Sequence, residues 1–237
     1  MKILSIDTSS KICSVAIMQD DNLITTLHLD DEKTHSQKLM PLIDRILKEC
    51  NITLKDLDAI SCCVGPGSFT GVRIGVSTVK AFCDVNNTPI VSVNSLESLA
   101  YNTLNSNYKK DIDIVCSIID AKNDNVYLGI FKEENNTFIP LEDVCAKNIN
   151  EVLEILEKYS NKEILFVGDG AVTHKYSIVQ KFSNWTFVED KLNSQTAVSV
   201  GICGYYKFAQ GLFGDSNSIF PLYLRKSQAE RALEGEK

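Results

Sequence analysis

The chain has 237 residues, 44% of them hydrophobic and 23% charged, with 12 Gly and 5 Pro. That composition excludes collagenous, coiled-coil and disordered classes and gives one large or two small globular domains. Its 24 Lys and Arg stand against 31 Asp and Glu, a formal charge of -7, so the chain as a whole repels a phosphate backbone and tight unaided binding to nucleic acid is not expected.

The opening Met1-Lys2-Ile3-Leu4-Ser5-Ile6-Asp7 meets an aspartate too early for a secretory leader, and no apolar run reaches membrane-spanning length, so a cytoplasmic protein without a membrane partner is expected. Residues 3–7, 12–18 and 22–29 read as three strands of a meander. Leu39, Leu42, Ile43, Ile46 and Leu47 then recur at helical spacing behind a cap at Thr34 or Ser36, with Pro41 in the early turns where proline is tolerated. A strand over 59–64 ends in Gly65-Pro66-Gly67, and a helix over 70–85, a strand over 89–93 and a helix over 96–104 follow. The polar, aperiodic stretch 105–111 marks a boundary between a first lobe, 1–104, and a second, 105–237.

Beyond the boundary the order begins again, with strands over 112–120, 125–132 and 138–145 and a helix containing 152–156. A strand over 164–167 closes in Gly168-Asp169-Gly170, a helix covers 197–208, and a polar, helical tail runs from Arg225 to Lys237. Ile6-Asp7-Thr8 matches Ile119-Asp120-Ala121, and Gly65-Pro66-Gly67 matches Gly168-Asp169-Gly170, so an internal duplication is predicted. Each half then forms a five-stranded mixed sheet with helices on its faces, and the two lobes flank a cleft. By analogy of topology this α/β plan is the duplicated ribonuclease-H-like plan of actin, the Hsp70 ATPase and the sugar kinases.

Asp7-Thr8-Ser9-Ser10 closes the first strand at the open end of a sheet, where ligands bind in such folds, although a turn satisfying its own backbone is the plainer reading. Gly65-Pro66-Gly67-Ser68-Phe69-Thr70-Gly71-Val72-Arg73-Ile74-Gly75 is more distinctive, because its glycines free the backbone to approach a partner or an anion, and Phe69 in a polar loop needs something to pack against. It is not a Walker loop. Eight scattered cysteines show no Cys-x-x-Cys spacing, and His28, His35 and His174 form no pair on one helix face, so neither a metal site nor a nucleophile is expected. On the helix over 70–85 the polar residues form one narrow stripe, and the apolar arc is wider than one sheet face buries; it is either sandwiched within the lobe or partly covered by another subunit.

The Gly65-to-Gly75 stretch, Ile-Asp-Thr-Ser at 6–9, His-Ser-Gln-Lys-Leu-Met-Pro at 35–41, Gly-Asp-Gly-Ala at 168–171 and Pro-Leu-Tyr-Leu-Arg at 221–225 together resemble the TsaB family over nearly the whole chain. The resemblance implies a non-catalytic, actin-like subunit of the bacterial complex that forms N6-threonylcarbamoyladenosine at position 37 of tRNA. It implies a catalytic paralogue (TsaD) that transfers the group from threonylcarbamoyl-adenylate, a small ATPase (TsaE) as a further partner, and tRNA met only through the complex. It also implies pairing with the paralogue through the first-lobe helices, and self-pairing through the same surface, with no cofactor of its own. Where the paralogue carries two metal-binding histidines four apart, this chain has Ser95 and Leu99.

On that basis the partner interface is placed at His35, Leu39, Leu42, Ile46, Ser68, Phe69, Arg73, Val76 and Lys80. A nucleotide-facing cleft is placed at Asp7, Thr8, Ser9, Gly65, Gly67, Asp120, Gly168 and Gly170. The alternative is a small-molecule phosphotransferase of the same fold, and a peptidase reading finds no catalytic set.

Overall fold

A computed structural model describes residues 1–30, 35–104, 112–182, 185–226 and 230. The first half comprises β1 (Lys2–Asp7), β2 (Ile12–Gln19), β3 (Asn22–Asp30), α1 (His35–Glu49), β4 (Ala59–Gly65), α2 (Phe69–Asn86), β5 (Ile90–Asn94) and α3 (Ser95–Tyr101). Its sheet runs β3-β2-β1-β4-β5, with the meander antiparallel and β1, β4 and β5 mutually parallel. The second half comprises β6 (Ile114–Asp120), β7 (Asn125–Glu134), β8 (Thr137–Pro140), β9 (Cys145–Asn148), α4 (Ile149–Leu156), β10 (Ile164–Val167), α5 (Asp169–Thr173), α6 (Lys175–Lys181), β11 (Thr186–Phe187) and α7 (Ala197–Ala209). Its sheet repeats the plan as β11-β10-β6-β7-β8, and β9 pairs with β7 beside β8. The duplicated ribonuclease-H-like fold is therefore present.

Two details differ from the sequence reading. The third strand of the second half, expected over 138–145, is broken into β8 and β9, which pair with opposite ends of β7. Pro140 ends the first piece, and residues 141–144 loop out before the second begins. α5, α6 and the two-residue β11 were not anticipated, because each is too short to show a period. The cap at Thr34, the boundary stretch 105–111 and the tail at 227–229 and 231–237 lie outside the described residues.

Alternation along β1 distributes its side chains to two cores. Leu4 and Ile6 join Val15, Ile17, Leu39, Ile43 and Ile46 beneath α1 and α2, whereas Ile3 packs with Ala16, Met18 and Ala197. Ala197 belongs to α7, so the C-terminal helix assigned to the second lobe in fact lies on the first sheet. The repeat is reciprocal: α3 of the first half packs with Val115, Ile119, Tyr127 and Phe131 of the second sheet. The division at 104/105 thus runs through a core shared between the sheets, whereas Val152, Leu156, Phe166 and Trp185 belong to a core lying wholly within the second half. α7 comes close enough that a Cβ on Gly201 would stand 2.5 Å from Ser5 Oγ and Met18 Cγ, and one on Gly204 2.5 Å from Ser61 Cβ. Between α3 and α7, Ser98 Oγ meets Ser199 Oγ at 3.1 Å and Lys207 Nζ pairs with Glu97 at 2.9 Å.

After α7 the chain, over 211–226, runs back across the first half as a strap. Gly214 exchanges two backbone hydrogen bonds with Ile90 at the sheet edge, and Leu222 N–H donates to Val64 O at 2.7 Å. Ile219 is fully buried in the core beneath α1 and α2, and Arg225 Nη1 donates to Ala121 O in the second half at 2.6 Å.

Candidate protein interface

The hairpin after β1 is closed, not open. Asp7 and Thr8 are fully buried and Ser9 nearly so. Asp7 Oδ1 accepts from Ser9 N–H and Ser9 Oγ–H, Ser68 N–H donates to Ser9 O at 2.7 Å, and Thr8 Oγ1–H donates to Gly71 O at 2.7 Å. A Cβ on Gly67 would lie 2.3 Å from Ser9 O and one on Gly71 1.9 Å from Thr8 O. These glycines therefore serve the contact between α2 and the hairpin. Gly65, with φ of +99°, lies against the Leu222 carbonyl of the strap. The first-half residues expected to face a nucleotide instead form internal joints, because strand end and helix start touch backbone to backbone.

Burial raises the pKa of Asp7 although the two bonds from Ser9 oppose it; its Oδ2 has no hydrogen-bond partner of ordinary geometry.

The second half repeats the joint. A Cβ on Gly168 would stand 2.2 Å from Ile118 O and one on Gly170 2.8 Å from Ile119 C, while Gly168 N–H donates to Asn193 Oδ1 at 2.8 Å. Here two aspartates come together through a backbone amide, a pairing the sequence offers no way to read, although Asp169 in Gly168-Asp169-Gly170 stands at the matching turn. Asp169 Oδ1 accepts from the Asp120 N–H at 3.0 Å, and Asp120 Oδ2 pairs with Lys122 Nζ at 2.8 Å. Burial raises the pKa of Asp169; burial also acts upward on Asp120, but bonds from the Lys122 side chain and backbone outweigh it and hold that carboxyl low.

The expected interface residues divide into two groups. Leu39, Leu42, Ile46 and Val76 are core residues at 6% exposure or less, and His35, also buried, sits with Nε2 3.0 Å from Ser10 O. They cannot touch a partner, because the apolar stripe of α1 is spent on the first sheet. Ser68, Phe69, Arg73 and Lys80 do reach the surface. Ser68 caps α2 by accepting from Gly71 N–H at 3.2 Å. Phe69 finds its packing partner in Tyr223, stacked at 4.5 Å and 5°. Arg73 Nε–H donates to Tyr223 Oη at 2.6 Å, and Lys80 Nζ lies 4.6 Å from the Phe220 ring centroid. The apolar arc of α2 packs into the core it shares with α1 and the first sheet, a core that Ile219 and Leu222 of the strap also join. What α2 leaves outward is a stripe of Thr70, Arg73, Ser77, Ala81 and Asp84, with Val85 at its C-terminal end, and Met40 of α1 is also exposed.

Ser95, at one position of the paralogue's histidines, is buried and donates to the Pro66 carbonyl, and Leu99, at the other, is a fully buried core residue. Among the described residues no group of three or more His, Cys, Asp or Glu side chains is arranged to hold a metal ion, and no helix is long and apolar enough to cross a membrane. Six of the eight cysteines are buried and all eight are free.

Comparison with known proteins accords with this geometry. The family model described as "TsaD: tRNA N6-adenosine threonylcarbamoyltransferase" matches residues 30–233. The tRNA threonylcarbamoyladenosine biosynthesis protein TsaB of Bacillus subtilis is 30% identical over all of both chains. Its namesake from Buchnera aphidicola subsp. Schizaphis graminum is 34% identical over 71% of this chain and 78% of its own. The solved structure of YeaZ from Pseudomonas aeruginosa superposes with a TM-score of 0.77 at 22% identity, covering 94% of this chain and 99% of that one. Full-length identity and a shared duplicated fold place the chain in the TsaB family.

Proposed function

We propose that this chain serves in the formation of N6-threonylcarbamoyladenosine on tRNA as the subunit that docks and supports the catalytic paralogue, TsaD, and does not itself transfer the group. The observation that carries the pathway is the 30% identity to a protein of that name across the entire length of both chains. The non-catalytic role is supported by the burial of Ser95 and Leu99, since a hydroxyl and an isobutyl group held in a core offer a metal nothing equivalent to two imidazoles. The docking surface is the outward stripe of α2, with Arg73, Ser77 and Lys80, together with the Met40 side of α1. The same surface serves self-pairing when the paralogue is absent, and TsaE joins the assembled pair. With a net charge of -7, the chain meets tRNA through the complex, in the cytoplasm. The backbone joints at Gly67 and Gly71 speak against the phosphotransferase alternative, which needs those loops free for phosphates.

The test is reconstitution. Purified TsaD, tRNA and threonylcarbamoyl-adenylate are incubated with and without this chain, and modified adenosine is quantified by mass spectrometry. Product is expected only when TsaD is present and more of it when both are; product from this chain alone, or no dependence on it, overturns the reading.

A further inference from the structure

The strap over 211–226 crosses the face on which docking is placed above, and its anchoring decides what a partner meets there. It is held at four points: the paired hydrogen bonds of Gly214 with Ile90, the fully buried Ile219, the Leu222 N–H to Val64 O bond, and the Arg225 bond to Ala121 O. These anchors tie the segment to the edge strand, the first core, β4 and the second half, and so hold it over the helix beneath. Between these anchors two rings point outward: Phe220 is 63% exposed and Tyr223 41%.

Those rings also fix the two cations of α2. Arg73 lies 5.4 Å from the Tyr223 ring centroid and 5.9 Å from that of Phe69, besides bonding Tyr223 Oη, and Lys80 lies over Phe220. Contacts of this kind hold a long side chain in place without neutralising its charge. The result, on a chain of net charge -7, is a local strip of aromatic faces and ordered positive charge, with Asp84 at its far end and Ser77 between Arg73 and Lys80 on the helix.

We propose that the strap is part of the docking surface, so that the partner face of this chain is a composite of the α2 stripe and the rings of Phe220 and Tyr223. The proposal rests on the reading that α2 receives the catalytic paralogue, and it commits to that occupant with a stated chemistry: a face on which carboxylates flank apolar side chains, the complement of Arg73 and Lys80 set among rings. Covering the core requires only Ile219 and Leu222 of the strap; Phe220 and Tyr223 add nothing to that core, and their contacts are with the surface residues Phe69, Arg73 and Lys80. Tyr and Arg at the centre of a contact are the residue types that carry most binding energy.

The experiment is calorimetric titration of the full-length chain against the purified paralogue, at low and high salt, with a melting curve for every variant. Ser77→Arg, on the exposed stripe, reports on the α2 reading. Phe220→Ala and Tyr223→Ala report on the strap, and Tyr223→Phe keeps the stack while removing the hydroxyl bonded to Arg73. Ser77→Arg is expected to abolish binding, Phe220→Ala and Tyr223→Ala each to weaken it about tenfold, and Tyr223→Phe to weaken it less, with wild-type affinity falling as salt rises. If Ser77→Arg blocks binding while both alanine variants stay within about twofold of wild type, the strap is outside the interface and the α2 reading stands. If Ser77→Arg has no effect, the α2 reading falls and the composite face falls with it. Should Tyr223→Ala lower the melting point, Phe220→Ala decides, since that ring is mostly in solvent.

Discussion

Gly71→Ala tests the joint between α2 and the β1–β2 hairpin. On an isolated helix the change is favourable by about 1 kcal/mol, because alanine is the better helix former. Here the new methyl would stand 1.9 Å from Thr8 O and 3.3 Å from Ser68 Cβ, against a comfortable separation of about 3.5 Å. Either α2 or the hairpin must retreat by about 1.5 Å, an overpacking strain of roughly 1 to 3 kcal/mol. That retreat also stretches the Thr8 Oγ1 to Gly71 O and Ser68 N to Ser9 O bonds, both 2.7 Å, at about 1 kcal/mol each. The sum is a net loss of roughly 2 to 4 kcal/mol. Urea unfolding followed by far-ultraviolet circular dichroism measures it, with Ser77→Ala on the solvent face of the same helix as a control expected within about 0.5 kcal/mol of wild type. A Gly71→Ala protein as stable as wild type, or more so, would refute the claim that this glycine exists for backbone approach.

Three other outcomes follow from named groups. Burial raises the pKa of Asp7, so its charge is a burden on the folded state: stability is highest below the unfolded pKa and falls as pH rises through the folded one. Asp7→Asn is therefore expected to gain roughly 1 to 3 kcal/mol at pH 7, the advantage shrinking towards pH 4, and a pH-independent difference between melting curves would contradict this. Glu97 raises the pKa of Lys207 despite its burial, so the pair's contribution is present below the unfolded lysine pKa and lost as pH climbs through the higher folded value. Lys207→Met should cost roughly 1 to 3 kcal/mol at neutral pH and flatten the alkaline limb of the melting profile, whereas an unchanged limb would show the pair to be inert. Burial pushes the Cys13 thiol up to about 11, and the fully buried Cys62 and Cys116 further, so Ellman's reagent should label the half-buried Cys50 and Cys145 first. Rapid labelling of the buried thiols in the native protein would mean that the cores open.

Much of this was legible because period and punctuation agree. Leu39, Leu42, Ile43 and Ile46 mark α1, and they are its buried face; the matching Gly65-to-Gly67 and Gly168-to-Gly170 turns expose the duplication. Purpose was harder to read than place. The glycines read as freedom to meet a ligand are freedom to meet Ser9 and Thr8, since sequence gives the permission for close approach but not the identity of what approaches. The apolar surplus of α2 was offered to another subunit or to its own lobe. It is met within its own lobe, with Ile219 and Leu222 of the far downstream strap joining the same core, a pairing that no local pattern encodes. Leu42 and Val76 were misplaced for the same reason: spacing tells which residues share a face, while only packing tells whether that face looks inward.

The exchange of α3 and α7 between the two sheets bears on how the molecule can be cut. A fragment ending at 104 would bare the side of the first sheet where Ile3, Ala16 and Met18 now meet α7, and the remaining piece would lack the helix that lies on β6 and β7. Each piece would keep most of one core but bare the apolar face that now meets the other's helix, so each is expected to be poorly soluble or loosely ordered when produced by itself. Mixed, they hold complementary surfaces and should reassemble, as two strands of a splice hold only when both are laid in. For the intact chain the same exchange is expected to couple the two halves, so that they melt together in one transition.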